Sequence, residues 1–201
     1  MSSDTRLTWS VVVLAGAVSR RVGGIDKALL ELHGRTLLGR IVDAVPSEVP
    51  IIVAGPPRPD AGRADFVSEE PPEGGPLAGL IAALAHVATD RVAVVAVDMP
   101  WAADAAARAI ALLGDRPGLV TVDPQGRRLL CPSAWRTDRL REVLSPFGAG
   151  RNLPMRAVLD GEEAHDIAEW SPAPADEHLL FDVDTVEDLA HAAHLKLGGA
   201  P

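Results

Sequence analysis

Apolar residues in this chain fall into short unbroken runs, separated by longer stretches in which they recur near helical spacing. Val11–Leu14 (VVVL), Ile51–Val53 (IIV), Val92–Val97 (VAVVAV) and Leu119–Val122 (LVTV) are rich in β-branched residues and bounded by Gly, Pro or charge. A strand with one wet face alternates apolar and polar, whereas an unbroken run marks a strand covered on both faces, as in a parallel sheet. Thr36–Val45, Leu77–Val87 and Ala103–Leu113 lie between these runs and predict helices. Strand alternating with helix implies an α/β fold: a three-layer α/β/α sandwich around a mostly parallel, Rossmann-like sheet.

The second half is less regular. Arg136–Leu144 and Leu153–Leu159 predict helices, Trp170–His178 a loop of Pro, Ala and acids, and Phe181–Asp184 a short strand or edge. Thr185-Val186-Glu187-Asp188 has the form of a capping box opening a last helix that runs to about Leu197, with the terminal Gly198–Pro201 expected to fray. No internal repeat stands out, and the Pro-rich stretches Pro56–Pro59 and Pro71–Pro76 sit between strand and helix signals, as loops do and linkers do not. At 201 residues the expectation is one domain, 1–201.

Composition narrows the partners. With 47% hydrophobic and 23% charged residues the chain has the material for a core, and disorder is excluded. Aromatics make up only 3%, which argues against stacking platforms for single-stranded nucleic acid. A net charge of -9, from 19 basic and 28 acidic residues, repels nucleic acid and anionic membranes, so an anionic ligand needs a local basic patch or a metal. The single Cys131 closes no intrachain disulfide, and no histidine has Cys partners at zinc-site spacing; His191 and His194 stand at i,i+3 without a third ligand. Trp9–Ala17 has the length of a signal-peptide core, but Met1–Thr8 carries Asp4 and Arg6 and is not net basic. The expectation is a cytoplasmic protein with no membrane segment.

The most informative segment follows the first strand: Leu14-Ala15-Gly16-Ala17-Val18-Ser19-Arg20-Arg21-Val22-Gly23-Gly24-Ile25-Asp26-Lys27. Small residues let backbone N–H groups face phosphate oxygens, and two arginines and a lysine can neutralise them. There is no G-x-G-x-x-G, and Lys27 is preceded by Asp26 and followed by Ala28, so neither the dinucleotide fingerprint nor the Walker pattern fits. Asp98 ends the run Val92–Val97 ahead of Met99-Pro100, at the carboxyl edge where open α/β sheets bind ligands, and a carboxylate there suits Mg²⁺.

The run LAGAVSRRVGGIDKALL resembles the N-terminal signature of the molybdenum cofactor guanylyltransferase-like nucleotidyltransferases (MobA-like NTP transferases). GGPLAGL (Gly74–Leu80), VDMP (Val97–Pro100) and FDVDTVEDL (Phe181–Leu189) follow in the family's order. The sequence departs from the signature at Ala17, where the family has glycine, and at Val22, where it has methionine. A Cβ at Ala17 costs little at φ < 0 and roughly 1–2 kcal/mol at φ > 0, which leaves a degenerate, nucleotide-binding but non-catalytic member as an alternative.

The resemblance implies a sheet of the nucleotide-diphospho-sugar transferase type, with a nucleotide-binding half over about residues 9–101 and an acceptor-binding half over about 102–197. It implies transfer of GMP from GTP to Mo-molybdopterin with release of pyrophosphate and Mg²⁺ as cofactor, with CTP or a sugar or organic phosphate as alternative substrates. Lys27 and Arg21 then neutralise the triphosphate, with Arg20 as second choice; Leu14, Ala15 and Gly16 line the nucleotide. Glu70 contacts the base, with Glu69 as a substitute one residue away; Asp98 binds nucleotide and metal, and Asp184 is a second metal ligand. Arg127–Trp135 and Arg151-Asn152 fall where an acceptor phosphate would be held. Implied partners are GTP, a molybdopterin-type acceptor and, transiently, molybdopterin-delivering proteins or molybdoenzymes.

Overall fold

The computed structural model of the chain describes residues 8–16, 18–19, 25–70 and 72–195. In the first half these form β1 (Trp9–Leu14), β2 (Val18–Ser19), β3 (Ile25–Asp26), β4 (Glu31–Leu32), β5 (Arg35–Thr36) and α1 (Leu37–Ala44). Next come β6 (Ile51–Ala54), β7 (Asp65–Val67), α2 (Pro76–Leu84), β8 (Arg91–Ala96) and α3 (Ala102–Leu113). The second half holds β9 (Gly118–Val122), β10 (Arg128–Arg136), α4 (Thr137–Leu144), α5 (Arg156–Asp160), β11 (Ala168–Trp170) and α6 (Val186–His194).

Among the described residues the main sheet has seven strands in the order β11-β9-β10-β8-β1-β6-β7. β1 pairs parallel with β6 and β8, β6 with β7, and β9 with β11. β10 runs antiparallel between β8 and β9. Side chains of successive strand residues point to opposite faces, and the core divides accordingly. Val12, Ile52 and Val94 pack with Leu77, Leu80 and Leu84 of α2 and Leu140 of α4. Val11, Val13, Ile51, Val53 and Val95 pack with Leu38 and Ile41 of α1 and Ala102 and Ala106 of α3. Covering on both sides is why these strands read as unbroken apolar runs, and the result is the expected three-layer sandwich.

The sequence hides β10 because Pro132 stands in its middle and cannot donate to a ladder. The strand accommodates it where the register with β9 shifts, between Leu129 and Ser133, and the Thr121 hydroxyl donates to the Pro132 carbonyl at 2.7 Å. Such a bulge re-aims side chains, and Leu129, Leu130 and Cys131 here line a cavity at the sheet edge. Phe181–Asp184, expected as a short strand or edge, joins no ladder; it is tied to the end of β8 by the bond from Val183 N–H to the Asp98 carbonyl at 2.9 Å and by burial of Val183. The capping box forms as expected: the Thr185 hydroxyl accepts from Asp188 N–H, and the Asp188 carboxylate accepts from Thr185 N–H. Among the described residues no helix is long and apolar enough to cross a membrane.

Candidate active site

The parallel strands β1, β6 and β8 end together at Leu14, Ala54 and Ala96. Beyond their carboxyl ends lies a cavity of about 790 Å³, lined by Leu14, Gly16, Lys27, Glu69, Gly79 and Asp98 among others. Helix α2 closes one side. Its Gly79 lies so near the sheet that a Cβ there would stand 3.3 Å from Ala54 Cβ, so the helix approaches closely because this residue has no side chain.

At the cavity floor Lys27 Nζ donates to Asp98 Oδ2 at 2.7 Å and to Asp184 Oδ1 at 2.6 Å. The three side chains are 7%, 20% and 45% exposed, so the ammonium is the buried member of the trio. Burial by itself would lower the Lys27 pKa; the hydrogen bonds and charges of Asp184 and Asp98 outweigh it and raise the pKa above its ordinary value. Local chemistry fixes each partner. Asp26 caps the 3-10 turn that begins at Lys27, accepting from Ala28 N–H at 3.0 Å. Asp98 follows the end of β8, where Val97 N–H still bonds the Leu14 carbonyl and Met99 N–H turns back to Ala96. Asp184 arrives because Val183 docks on the Asp98 backbone.

A second cavity, of about 880 Å³, lies on the other side of Asp98, lined by Asp98, Asp123, Arg127, His178, Phe181, Asp182 and His191 among others. The two cavities share Ala96, Asp98, Leu129 and Cys131. Burial, with the charges of Asp184 and Asp98, raises the Asp182 pKa. Burial, reinforced by Asp98, pushes the Cys131 thiol up to about 12.

The structure thus brings together Leu14, Gly16, Lys27, Asp98 and Asp184, while Arg21, with Arg20, Ala17 and Val22, lies outside the described residues. Ala15 is fully buried behind the cavity: its N–H donates to the Ala54 carbonyl and its own carbonyl accepts from Arg58. Glu70 is exposed and absent from the lining; Glu69 is half-buried and lines the cavity, with Oε1 accepting from Gly74 N–H at 3.0 Å. A shift of one residue in this loop thus decides which of the two carboxylates faces the cavity. Of the basic residues expected near an acceptor, Arg127 lines the second cavity but is paired with Asp123, at 2.6 Å. Arg128 instead donates to the Leu159 and Ala164 carbonyls. Asn152 N–H ties its segment to the Gly74 carbonyl at 2.7 Å. Arg58, which no motif singles out, bonds Asp26 and the Ala15 carbonyl.

The fold and site define an open α/β domain with its cavity at the carboxyl ends of the parallel strands, where such sheets bind ligands, and the comparisons supply its family. Residues 11–196 match the family model described as MobA-like NTP transferase domain, so the chain belongs to that family and is a nucleotidyltransferase. A molybdenum cofactor guanylyltransferase of Rhodopseudomonas palustris (strain HaA2) is 30% identical over 92% of this chain and 91% of that protein. One of Shewanella sp. (strain MR-4) is 33% identical over 68% of this chain and 72% of that protein. The molybdopterin-guanine dinucleotide biosynthesis protein A of Archaeoglobus fulgidus superposes with a TM-score of 0.70 at 18% identity, covering 92% of this chain and 96% of that one. The 2-C-methyl-D-erythritol 4-phosphate cytidylyltransferase of Thermus thermophilus gives 0.69 at 21% identity, over 92% and 97%; these two likenesses concern the fold.

Proposed function

We propose that this protein is a Mg²⁺-dependent guanylyltransferase of molybdenum cofactor biosynthesis, transferring GMP from GTP to Mo-molybdopterin with release of pyrophosphate. The observation that carries the reading is Asp98: it stands on the wall common to both cavities and is paired to Lys27 at 2.7 Å. The first cavity takes the nucleotide and the second the acceptor, and the reacting phosphorus lies at their junction. The chain acts as a single nucleotidyltransferase domain, its nucleotide half over about 9–101 and its acceptor half over about 102–197.

An acceptor phosphate oxygen bonds to the α-phosphorus as the α-phosphorus–pyrophosphate oxygen bond breaks, and the pyrophosphate carries away the electron pair. No protein nucleophile takes part. Catalysis rests on alignment and on neutralising charge. Gly16 presents bare backbone to the triphosphate, beside Leu14. Lys27 and Arg21 neutralise the triphosphate and the leaving pyrophosphate. Glu69 keeps Oε2 for the N1–H and exocyclic amine of guanine while Gly74 holds its Oε1.

Two carboxylate oxygens converge on the Lys27 ammonium, at 2.7 and 2.6 Å, so the pair is arranged around one cation. Among the described residues no group of three or more His, Cys, Asp or Glu could hold a metal by itself. A pair of hard oxygens completed by substrate phosphates is what Mg²⁺ commonly uses, so the residues fit. Asp98 and Asp184 would hold Mg²⁺, which when bound supplies charge neutralisation at the phosphates. The same reading has the enzyme working in the cytoplasm, receiving its acceptor from a molybdopterin-delivering protein.

The test is pyrophosphate release on mixing the protein with Mg²⁺, GTP and carrier-delivered Mo-molybdopterin, alongside calorimetry with GTP, CTP, UTP and ATP. GTP preference and acceptor-dependent release support the reading. A preference for CTP would replace guanylyl by cytidylyl transfer, and GTP binding without release would mark a non-catalytic nucleotide-binding member.

A further inference from the structure

Arg58 lies in the loop after β6, and its side chain is only 5% exposed. Each of its nitrogens bonds a different acceptor: Nε donates to Asp26 Oδ2 at 2.6 Å, Nη2 to the Ala15 carbonyl at 2.6 Å, and Nη1 to the Pro56 carbonyl at 3.0 Å. Asp26 is engaged on both oxygens, since its other oxygen caps the turn that opens with Lys27. Gly55 makes room for this clasp. It sits at φ +148, and a Cβ there would stand 3.1 Å from both the Ala15 carbonyl oxygen and Arg58 Nη1.

A buried guanidinium is unfavourable unless its donors are matched. Arg63 and Arg141 match theirs with carbonyls after α1 and α2, as ordinary braces of helix ends. Arg58 joins three segments of the cavity rim: the exit of β1, the loop after β6, and the residue preceding Lys27. We propose that Arg58 is a positioning residue for nucleotidyl transfer. Through Asp26 it fixes the turn that delivers the Lys27 ammonium, while its bonds to the Ala15 and Pro56 carbonyls hold the guanidinium itself in place. Asp26 therefore serves as a link between Arg58 and Lys27, with one oxygen on each side of the connection. The inference rests on the nucleotidyl-transfer reading above and adds to it a residue that touches no substrate.

A double-mutant cycle tests it. Nucleotide affinity is measured by calorimetry with Mg²⁺ and no acceptor, using whichever of GTP, CTP, UTP and ATP the unaltered protein binds best. Arg58→Met weakens binding about 10-fold in the otherwise unaltered chain and less than about 2-fold in the Lys27→Ala background, because the group it acts through is then gone. Equal losses in the two backgrounds overturn the proposal and make Arg58 a brace of the fold. If Arg58→Met does not fold, as judged by its thermal midpoint, the same cycle is run with Arg58→Gln, which removes the charge beside Asp26 but keeps an amide donor for the buried carbonyls. Preference for a nucleotide other than GTP revises the guanylyl assignment and leaves the cycle decisive; binding of none of the four overturns both.

Discussion

Lys27 Nζ and Asp98 Oδ2 lie 2.7 Å apart although 71 residues separate them in the chain. The ammonium thus fills the space between the carboxylates proposed to hold the metal. Lys27→Ala should lower turnover by about 10²–10³-fold, the scale of losing a preorganised charge-stabilising group. It should also tighten Mn²⁺ binding to the nucleotide-free protein, because two carboxylates lose their resident cation. Electron paramagnetic resonance titration of Mn²⁺ reads this directly, and weaker Mn²⁺ binding would show that Lys27 does not compete for that space.

Asp98→Asn keeps the size of the side chain and removes its charge. The backbone bond from Val183 to the Asp98 carbonyl survives, so the fold should stand. Nucleotide affinity should lose most of its dependence on Mg²⁺, as seen by calorimetry with and without EDTA. An unchanged metal requirement would assign Asp98 a structural part only.

Glu69→Gln should weaken GTP binding about 10-fold, by removing the charge that favours donors on the base. Glu70→Gln should stay within about 2-fold, as expected of an exposed carboxylate whose loss leaves no partner unsatisfied. Competition between GTP and ATP in each variant checks both. The reverse ranking would return the base contact to Glu70.

Cys131, with its thiol pushed up to about 12, should resist alkylation at pH 8 by about 10³-fold relative to an ordinary thiol until denaturant is added. The linked stability change has a definite sign. The folded protein keeps a proton that the unfolded chain releases from about pH 9 upward, so stability is unaffected below that and declines as pH rises towards 12. Cys131→Ala should flatten this alkaline limb in urea titrations.

Much of this molecule was legible in one dimension. Unbroken apolar runs marked β1, β6, β8 and β9, since a strand between two helical layers has no wet face to encode. Helical spacing marked α1, α2 and α3, and Thr185 with Asp188 announced the start of α6. Lys27 and Asp98 were legible from local signals, a small-residue turn after the first strand and a carboxylate at the end of another. β10 was not, because Pro132 contradicts a central strand and only the local register shift accommodates it.

The sequence by itself determined the layers, the order of most elements and the chemical types available at the sheet edge, because periodicity and turn chemistry act between near neighbours. Tertiary structure decided which carboxylates meet Lys27, that Glu69 and not Glu70 faces the cavity, that Ala15 is sealed behind it, and that Arg58 clasps the rim. Those outcomes depend on contacts between segments up to 157 residues apart. Burial makes such polar contacts selective, since a charge taken out of water must find its partner wherever the chain brings one.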